Sequence, residues 1–198
     1  MRRAVFLDRD GVINQNRPDH VKSLDEFVLL PGAVQALCLL SDVRMPVVVV
    51  SNQAVINRGL VSRVTVHSIH RHMVELARSA GGRIDAVFYC PHRPAEGCAC
   101  RKPRPGLLEQ AAVALEVDLS GSYLVGDALS DVRAALGVRA QPLMVLTGRG
   151  RIQVPLLAAN GLEDVPVFND LLEAAVWILQ QEGVPLRSQG LRTRASAS

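Results

Sequence analysis

The amino-acid sequence predicts an α/β fold, a mainly parallel sheet with helices on both faces. Three observations carry this expectation. Short β-branched runs alternate with segments of helical periodicity through most of the 198 residues, an order that implies right-handed crossovers between parallel strands. The runs are apolar throughout instead of alternating with polar residues, as strands buried on both faces are. Hydrophobic residues make up 48% of the chain and charged residues 21%. That balance suits one buried core and excludes disorder, collagen-like repeats and a long coiled coil.

Residues 4–7, Ala-Val-Phe-Leu, read as the first strand. Pro31-Gly32 opens a helical stretch to about residue 43, and 47–50 form a second strand. A longer helix over 62–80 has apolar positions at Val66, Ile69, Met73, Val74 and Leu76, and Gly81-Gly82 stops it. Residues 84–89 make a third strand, and 105–117 a helix with Pro at its start. A fourth strand over 122–125, a helix after Leu129, a fifth strand over 143–146 and a closing helix over 171–181 complete the body. No repeat and no Ser/Gly-rich linker divides it, so residues 1–186 are expected to form one domain.

Residues 187–198 hold three Arg and no acid, and read as a disordered tail. Without them the chain has 19 basic and 19 acidic residues, so the net charge of +3 belongs to the tail. A nucleic-acid partner is therefore not expected, because such a partner selects a basic body. The apolar run over 45–50 is too short to cross a membrane. Arg2 and Arg3 are followed by only four apolar residues, less than a secretory signal needs. The expectation is a soluble, cytoplasmic protein with no membrane partner.

In parallel sheets ligands collect where the carboxyl ends of the strands open, and polar clusters follow each of the first four strands. Asp8 and Asp10 lie two apart before Gly11. Carboxylates at that spacing return to one side and suit a divalent metal, a nucleophile with an acid/base partner, or both. A capped turn uses the same residues. Asp127, after Gly126, completes a carboxylate set for Mg2+; Asp131 is a second candidate or a helix N-terminal acid. Lys102 stands beside Arg101 in a chain with 20 Arg and two Lys, which points to a wanted point charge against the plainer reading of a surface lysine.

Cys90, His92, Cys98 and Cys100 are spaced Cys-x-His-x5-Cys-x-Cys. Three thiols and an imidazole match a closed tetrahedral structural Zn2+ site, and disulfides fit poorly without an export signal. Zinc would fix loop 90–100, which contains Pro91, Pro94 and Gly97, and would deliver Arg101 and Lys102 directly after its last ligand. Cys38 reads as a core thiol, Trp177 as core packing, and His67, His70 and His72 as a solvated helix surface.

The run Asp8-Arg9-Asp10-Gly11-Val12-Ile13-Asn14 resembles the first motif of the haloacid dehalogenase superfamily of phosphatases. Ser51-Asn52-Gln53 resembles its second motif, Lys102 its third, and Gly126-Asp127 with Asp131 its fourth; the likeness covers about residues 4–148. The first motif and Arg-Lys-Pro-x-Pro-Gly are similar to the heptose-bisphosphate and histidinol-phosphate phosphatase branch. The resemblance implies a single Rossmann-like domain with no large cap domain, the zinc loop standing in for the cap. It implies Asp8 as a nucleophile forming an aspartyl phosphate and Asp10 as acid and then base. Mg2+ would be held by the Asp8 carboxylate, the Asp10 backbone carbonyl and Asp127. Ser51 and Lys102 would hold phosphoryl oxygens, with Asn52, Gln53, Arg58 and Arg101 toward the rest of a small phosphorylated metabolite, bound by a monomer.

Arg58-Gly59 looks more like the heptose enzymes, and His20, Val21 and Lys22 match the sugar-contacting segment with a shift of one inserted residue. Two positions depart from the pattern. Ala128 replaces the family's usual Lys, and Ala54-Val55 a Ser-Gly pair. Another small ester such as histidinol phosphate is the alternative substrate. A catalytically idle zinc-stabilised binding module would need no joint set of Asp8, Asp10, Lys102 and Asp127. A phosphatase of nucleic-acid ends would need a basic groove.

Overall fold

Strand β1 (Val5–Leu7) has no polar residue because both of its faces are covered. Successive side chains point to opposite faces: Val5 and Leu7 join one apolar cluster, Ala4 and Phe6 the other. The computed structural model describes residues 2–186, so the expected tail over 187–198 lies outside the described residues. After β1 come α1 (Ala33–Leu40), β2 (Val47–Asn52), α2 (Arg63–Ser79), β3 (Ala86–Cys90) and a 3-10 turn (Pro94–Glu96). Then follow α3 (Gly106–Leu115), β4 (Tyr123–Gly126), α4 (Leu129–Leu136), β5 (Gln141–Val145), α5 (Gly150–Ala158), β6 (Val167–Phe168) and α6 (Leu171–Gln181).

The six strands form one sheet in the order β3-β2-β1-β4-β5-β6, with every neighbouring pair parallel. Leu7 aligns with Val49 on one side and Val125 on the other. The chain therefore leaves β1, β2 and β4 at adjacent points of one edge. Helices α1, α2 and α6 cover one face through Leu37, Leu40, Ile69, Met73, Ile178 and Leu179. Helices α3 and α4 cover the other through Leu107, Leu108, Ala111, Ala134 and Ala135. Each large side chain so buried contributes about 1.5–3 kcal/mol.

Ser62 caps α2 by accepting from the Thr65 N–H at 3.0 Å, and the left-handed Gly81 ends it, the stop that Gly81-Gly82 leads one to expect. Helix α1 stops at Leu40, short of residue 43, because the Ser41 and Asp42 amides turn back to the Cys38 and Leu39 carbonyls. Helix α5 and strand β6 have no counterpart in the sequence reading. Pro155 stands inside α5, and β6 has only two residues. Trp177 packs against Tyr123 and Phe168 with centroids 6.1 and 5.7 Å apart. Cys38 is not a core thiol: it is partly exposed, and its Sγ lies 3.1 Å from the Ala80 carbonyl. Among the described residues no helix is long and apolar enough to cross a membrane.

Candidate active site

The turn after β1 is built to bring carboxylates together. The Asp8 amide still donates to the Val125 carbonyl at 2.9 Å, so Asp8 keeps the sheet's direction. The Arg9 carbonyl then accepts from the Ile13 and Asn14 amides, at 2.9 and 3.1 Å, which closes the turn. Gly11, at φ +88, is required twice over: a Cβ there would lie 2.2 Å from Asp127 Oδ2. Gly11→Ala is expected to destabilise the fold by about 1–3 kcal/mol, read as a lower thermal midpoint. An unchanged midpoint would contradict the close approach of Asp127.

Lys102 lies 97% buried among anionic oxygens. Its Nζ is 3.0 Å from Asp8 Oδ1 and 2.6 Å from Asp131 Oδ1, and donates to the Val50 carbonyl at 2.8 Å. Burial pulls its pKa down, but Asp131 and Asp8 together hold the ammonium above its ordinary range. It is no surface lysine. The plane of Asn52 splints this position: its Nδ2 donates to the Lys102 carbonyl and its Oδ1 accepts the Lys102 N–H, each at 3.1 Å.

Asp8 is raised to about 6, by burial first and by Asp131 and Asp10 after it, against the pull of Lys102. Asp127 is wholly buried and also raised, first by burial and then by Asp8. It accepts from the Arg149 amide at 2.8 Å on Oδ2 and from Arg149 Nη2 at 3.0 Å on Oδ1. Asp10 goes the other way. Burial raises it, yet the Arg9 guanidinium and bonds from Asn14 and Gln53 hold it below the usual carboxylate range. Arg9 Nη2 meets both Asp10 oxygens at 2.8 Å, and Gln53 Nε2 donates to Oδ2 at 2.9 Å and to Ser51 Oγ at 2.9 Å.

Asp8, Asp127 and Asp131 each offer an oxygen within 4.8 Å of the others. Three buried carboxylates, two of them with raised pKa, leave local negative charge that Lys102 and Arg149 do not fully offset. An all-oxygen donor set of this kind fits a hard divalent cation such as Mg2+. Asp131 holds Lys102 and accepts the Ala128 N–H at 3.1 Å, while Asp127 is held by Arg149, so either carboxylate could join Asp8 in such a set.

A cavity of about 360 Å³ opens over these groups. Asp8, Asp10, Ser51, Asn52, Arg101 and Lys102 line it, joined by Arg17, His20 and Arg149. Gln53 and Asp127 stand behind its wall. Arg58 does not line it and reaches it only through His20, whose Nε2 is 3.1 Å from Arg58 Nη1. Arg9, Asn14 and Arg149 have structural parts in the site that the sequence reading did not assign. Arg149 follows β5, so the rule applied to the first four strand ends would have found it at the fifth.

The three sulfurs and the imidazole nitrogen of the cysteine cluster also converge. Cys90 Sγ is 3.5 Å from His92 Nδ1 and 3.5 Å from Cys98 Sγ, while Cys100 Sγ is 3.3 Å from His92 Nδ1 and 3.5 Å from Cys98 Sγ. A tetrahedron on bonds of ~2.0–2.3 Å has edges near these lengths, and the cysteines are free rather than bridged. The cluster fits Zn2+. Arg101 Nη1 donates back to the His92 carbonyl at 3.2 Å, so the loop aims this side chain at the cavity.

One helix histidine was misplaced by the sequence reading. His70 is 94% buried, its Nε2 3.2 Å from Arg9 Nη1. His67 is exposed beside Tyr89, and His72 half-buried against Phe27.

The HAD-hydrolase-like family model matches residues 99–174. The chain is 43% identical over 180 residues to D-glycero-beta-D-manno-heptose-1,7-bisphosphate 7-phosphatase of Bordetella bronchiseptica, covering 90% of this chain and 99% of that one. It is 39% identical over 182 residues to the D-glycero-alpha-D-manno-heptose-1,7-bisphosphate 7-phosphatase of Mycobacterium tuberculosis, covering 91% and 93%. The crystal structure of the B. bronchiseptica D,D-heptose 1,7-bisphosphate phosphatase, complexed with magnesium and phosphate, superposes with a TM-score of 0.84, again at 43% identity and over 90% and 99% of the two chains. The chain belongs to the heptose-bisphosphate phosphatase family of haloacid dehalogenase-like hydrolases.

Within that family its two departures are buried. Ala54 and Val55 are 4% and 0% exposed, and Val55 packs with Val61 and Val66 beneath the 54–61 turn. Ala128 is 3% exposed and does not line the cavity. None of the three residues lines the cavity, whose cations are Arg17, Arg101, Lys102 and Arg149.

Proposed function

We propose that this chain is a Mg2+-dependent phosphatase that removes the C7 phosphate of D-glycero-D-manno-heptose 1,7-bisphosphate through an aspartyl-phosphate intermediate. The observation that carries the reading is the buried Asp8–Lys102–Asp131 line at the mouth of the central strand. It presents one carboxylate to the cavity with a fixed cation beside it. Similarity to relatives of that name over nearly their whole length supports the substrate.

An Asp8 oxygen attacks phosphorus, and the bond from phosphorus to the sugar oxygen breaks. Asp10 gives its proton to the departing alkoxide. Arg9 holds free Asp10 as a carboxylate; the phosphate dianion entering beside it raises its pKa and loads the proton. Water then attacks the acyl phosphate while Asp10 takes a proton back, and Asp8 and inorganic phosphate are released. Lys102 and Ser51 hold the phosphoryl oxygens as charge shifts. Mg2+ on Asp8, the Asp10 carbonyl and Asp127 would offset repulsion between nucleophile and phosphate. Arg101, Asn52 and Gln53 face the rest of the substrate directly or through Asp10 and Ser51, and Arg58 acts from the rim through His20. Zn2+ on Cys90, His92, Cys98 and Cys100 is structural. We take the cytoplasm as its setting and the monomer as the working unit.

The test is phosphate release with Mg2+ from both anomers of the heptose bisphosphate, histidinol phosphate, and several hexose bisphosphates and monophosphates. A heptose bisphosphate should lead in kcat/KM by at least about tenfold, the discrimination that one well-placed cation–phosphate contact supports. Turnover of histidinol phosphate alone would move the chain to the other branch while leaving the phosphoryl chemistry in place.

A further inference from the structure

His70 is a polar residue on the apolar face of α2, between Val66 and Met73, and is nearly as buried as they are. Among the described residues its one hydrogen-bonding neighbour is Arg9 Nη1, 3.2 Å from Nε2. A guanidinium only donates, so Nε2 must be the unprotonated nitrogen and the ring is neutral. Burial and the neighbouring Arg9 charge push the imidazole down to about 3, despite Asp10 nearby, which keeps it so. Tyr89 of β3 holds the ring from the side, with centroids 5.4 Å apart. Arg9 itself is 1% exposed and spends Nε and Nη2 on Asp10.

We infer that His70 is a positioning residue for Asp10, acting through Arg9: it satisfies the guanidinium edge that Asp10 does not reach, without competing for its charge. A carboxylate at this place would share the cation and loosen its grip on Asp10. An apolar side chain would leave a charged donor buried without an acceptor, which the guanidinium would relieve by rotating away. The neutral ring fixes the fork and leaves its whole charge for Asp10. This rests on the acid role proposed for Asp10.

The experiment compares His70→Leu, His70→Gln and Asp10→Asn with the wild-type protein in Mg2+, under single turnover. Two esters are used, the best sugar phosphate of the panel and p-nitrophenyl phosphate. Release of a sugar alkoxide needs a proton from Asp10, whereas p-nitrophenolate leaves without one. His70→Leu should slow the sugar ester about tenfold, part of the 10²–10⁴-fold that a general acid supplies, and change p-nitrophenolate release and KM by less than about twofold. Gln, whose amide oxygen reaches the place of Nε2, should recover most of the rate. If His70→Leu slows both esters in equal proportion, or neither, the inference is overturned. If Asp10→Asn leaves the ratio of the two rates as in wild type, the acid assignment beneath it fails instead. A changed ratio in Asp10→Asn with none in His70→Leu sinks the His70 inference alone.

Discussion

Asp8→Asn is expected to abolish phosphate release, with a loss of at least about 10³-fold in kcat, the order that removing a covalent nucleophile costs. The amide has the shape of the carboxylate but neither its nucleophilicity nor its pairing with Lys102 3.0 Å away. The same substitution should act on stability in the opposite direction. In the folded chain burial raises Asp8 to about 6, against 3.8 for an ordinary aspartate. Below the lower value it is protonated folded or unfolded and contributes nothing. Between the two the folded state binds more protons than the unfolded state, so stability falls as pH rises, and above about 6 the full penalty of roughly 3 kcal/mol is present. His70, held near 3 in the fold, adds stability as pH rises over the same range in both proteins, so the measure is the difference between them: without added Mg2+ and with zinc retained, the midpoint of Asp8→Asn minus that of the wild type should grow from pH 4 to about 6 and then level off. Activity in the Asn variant within tenfold of wild type would remove Asp8 as nucleophile. A difference that stays constant or shrinks over this range would contradict the raised pKa.

Loss of zinc should be the other severe lesion. Between Cys90 and Gly106 the backbone makes few bonds of its own. They run from Glu96 to Arg93, Gly97 to Pro94, Arg104 to Arg101 and Gly106 to Ala99. On the zinc reading proposed above, four metal–ligand bonds would give such a segment its order, and structural Zn2+ supplies an apparent ~10–16 kcal/mol at neutral pH. Lys102 is two residues past the last ligand, so a released loop takes the buried cation from Asp8 and Asp131. The expected result is one Zn2+ per chain by elemental analysis, lost in Cys90→Ser. That loss should bring a fall in kcat of about 10²-fold or more, by analogy with the removal of a transition-state charge partner. Far-ultraviolet circular dichroism should change little, because β1, β2, β4 and their helices do not depend on the loop. Full activity in a zinc-stripped, Mg2+-replenished protein would show that the loop keeps its place without metal.

The parallel core was legible because strands buried on both faces leave uninterrupted apolar runs, as at Val47–Val50, and the site followed from looking past their carboxyl ends. What failed had identifiable causes. Pro155 disguises α5, and β6 owes its place to pairing with β5 more than to its own two residues. His70 was readable after all. It shares the stripe of Val66, Met73 and Ala77 at i, i+4, i+7 and i+11, and a polar residue on that stripe implies a buried partner. The partner, Arg9, carried no such signal, since nothing local to a charged residue tells whether a fold will enclose it.

The two lysines of the chain differ sharply in access, with Lys22 about one-third exposed and Lys102 closed off beneath the cavity. Acylating reagents directed at side-chain amines should therefore tag Lys22 in the native protein and spare Lys102. A lysine-specific endoprotease meets a similar asymmetry, because Lys102 precedes Pro103 and only the bond after Lys22 is open to it. Mass-spectrometric appearance of a tag on Lys102 would then serve as a clock for opening of the centre. Its rate can be read without substrate and set beside the rate at which activity disappears.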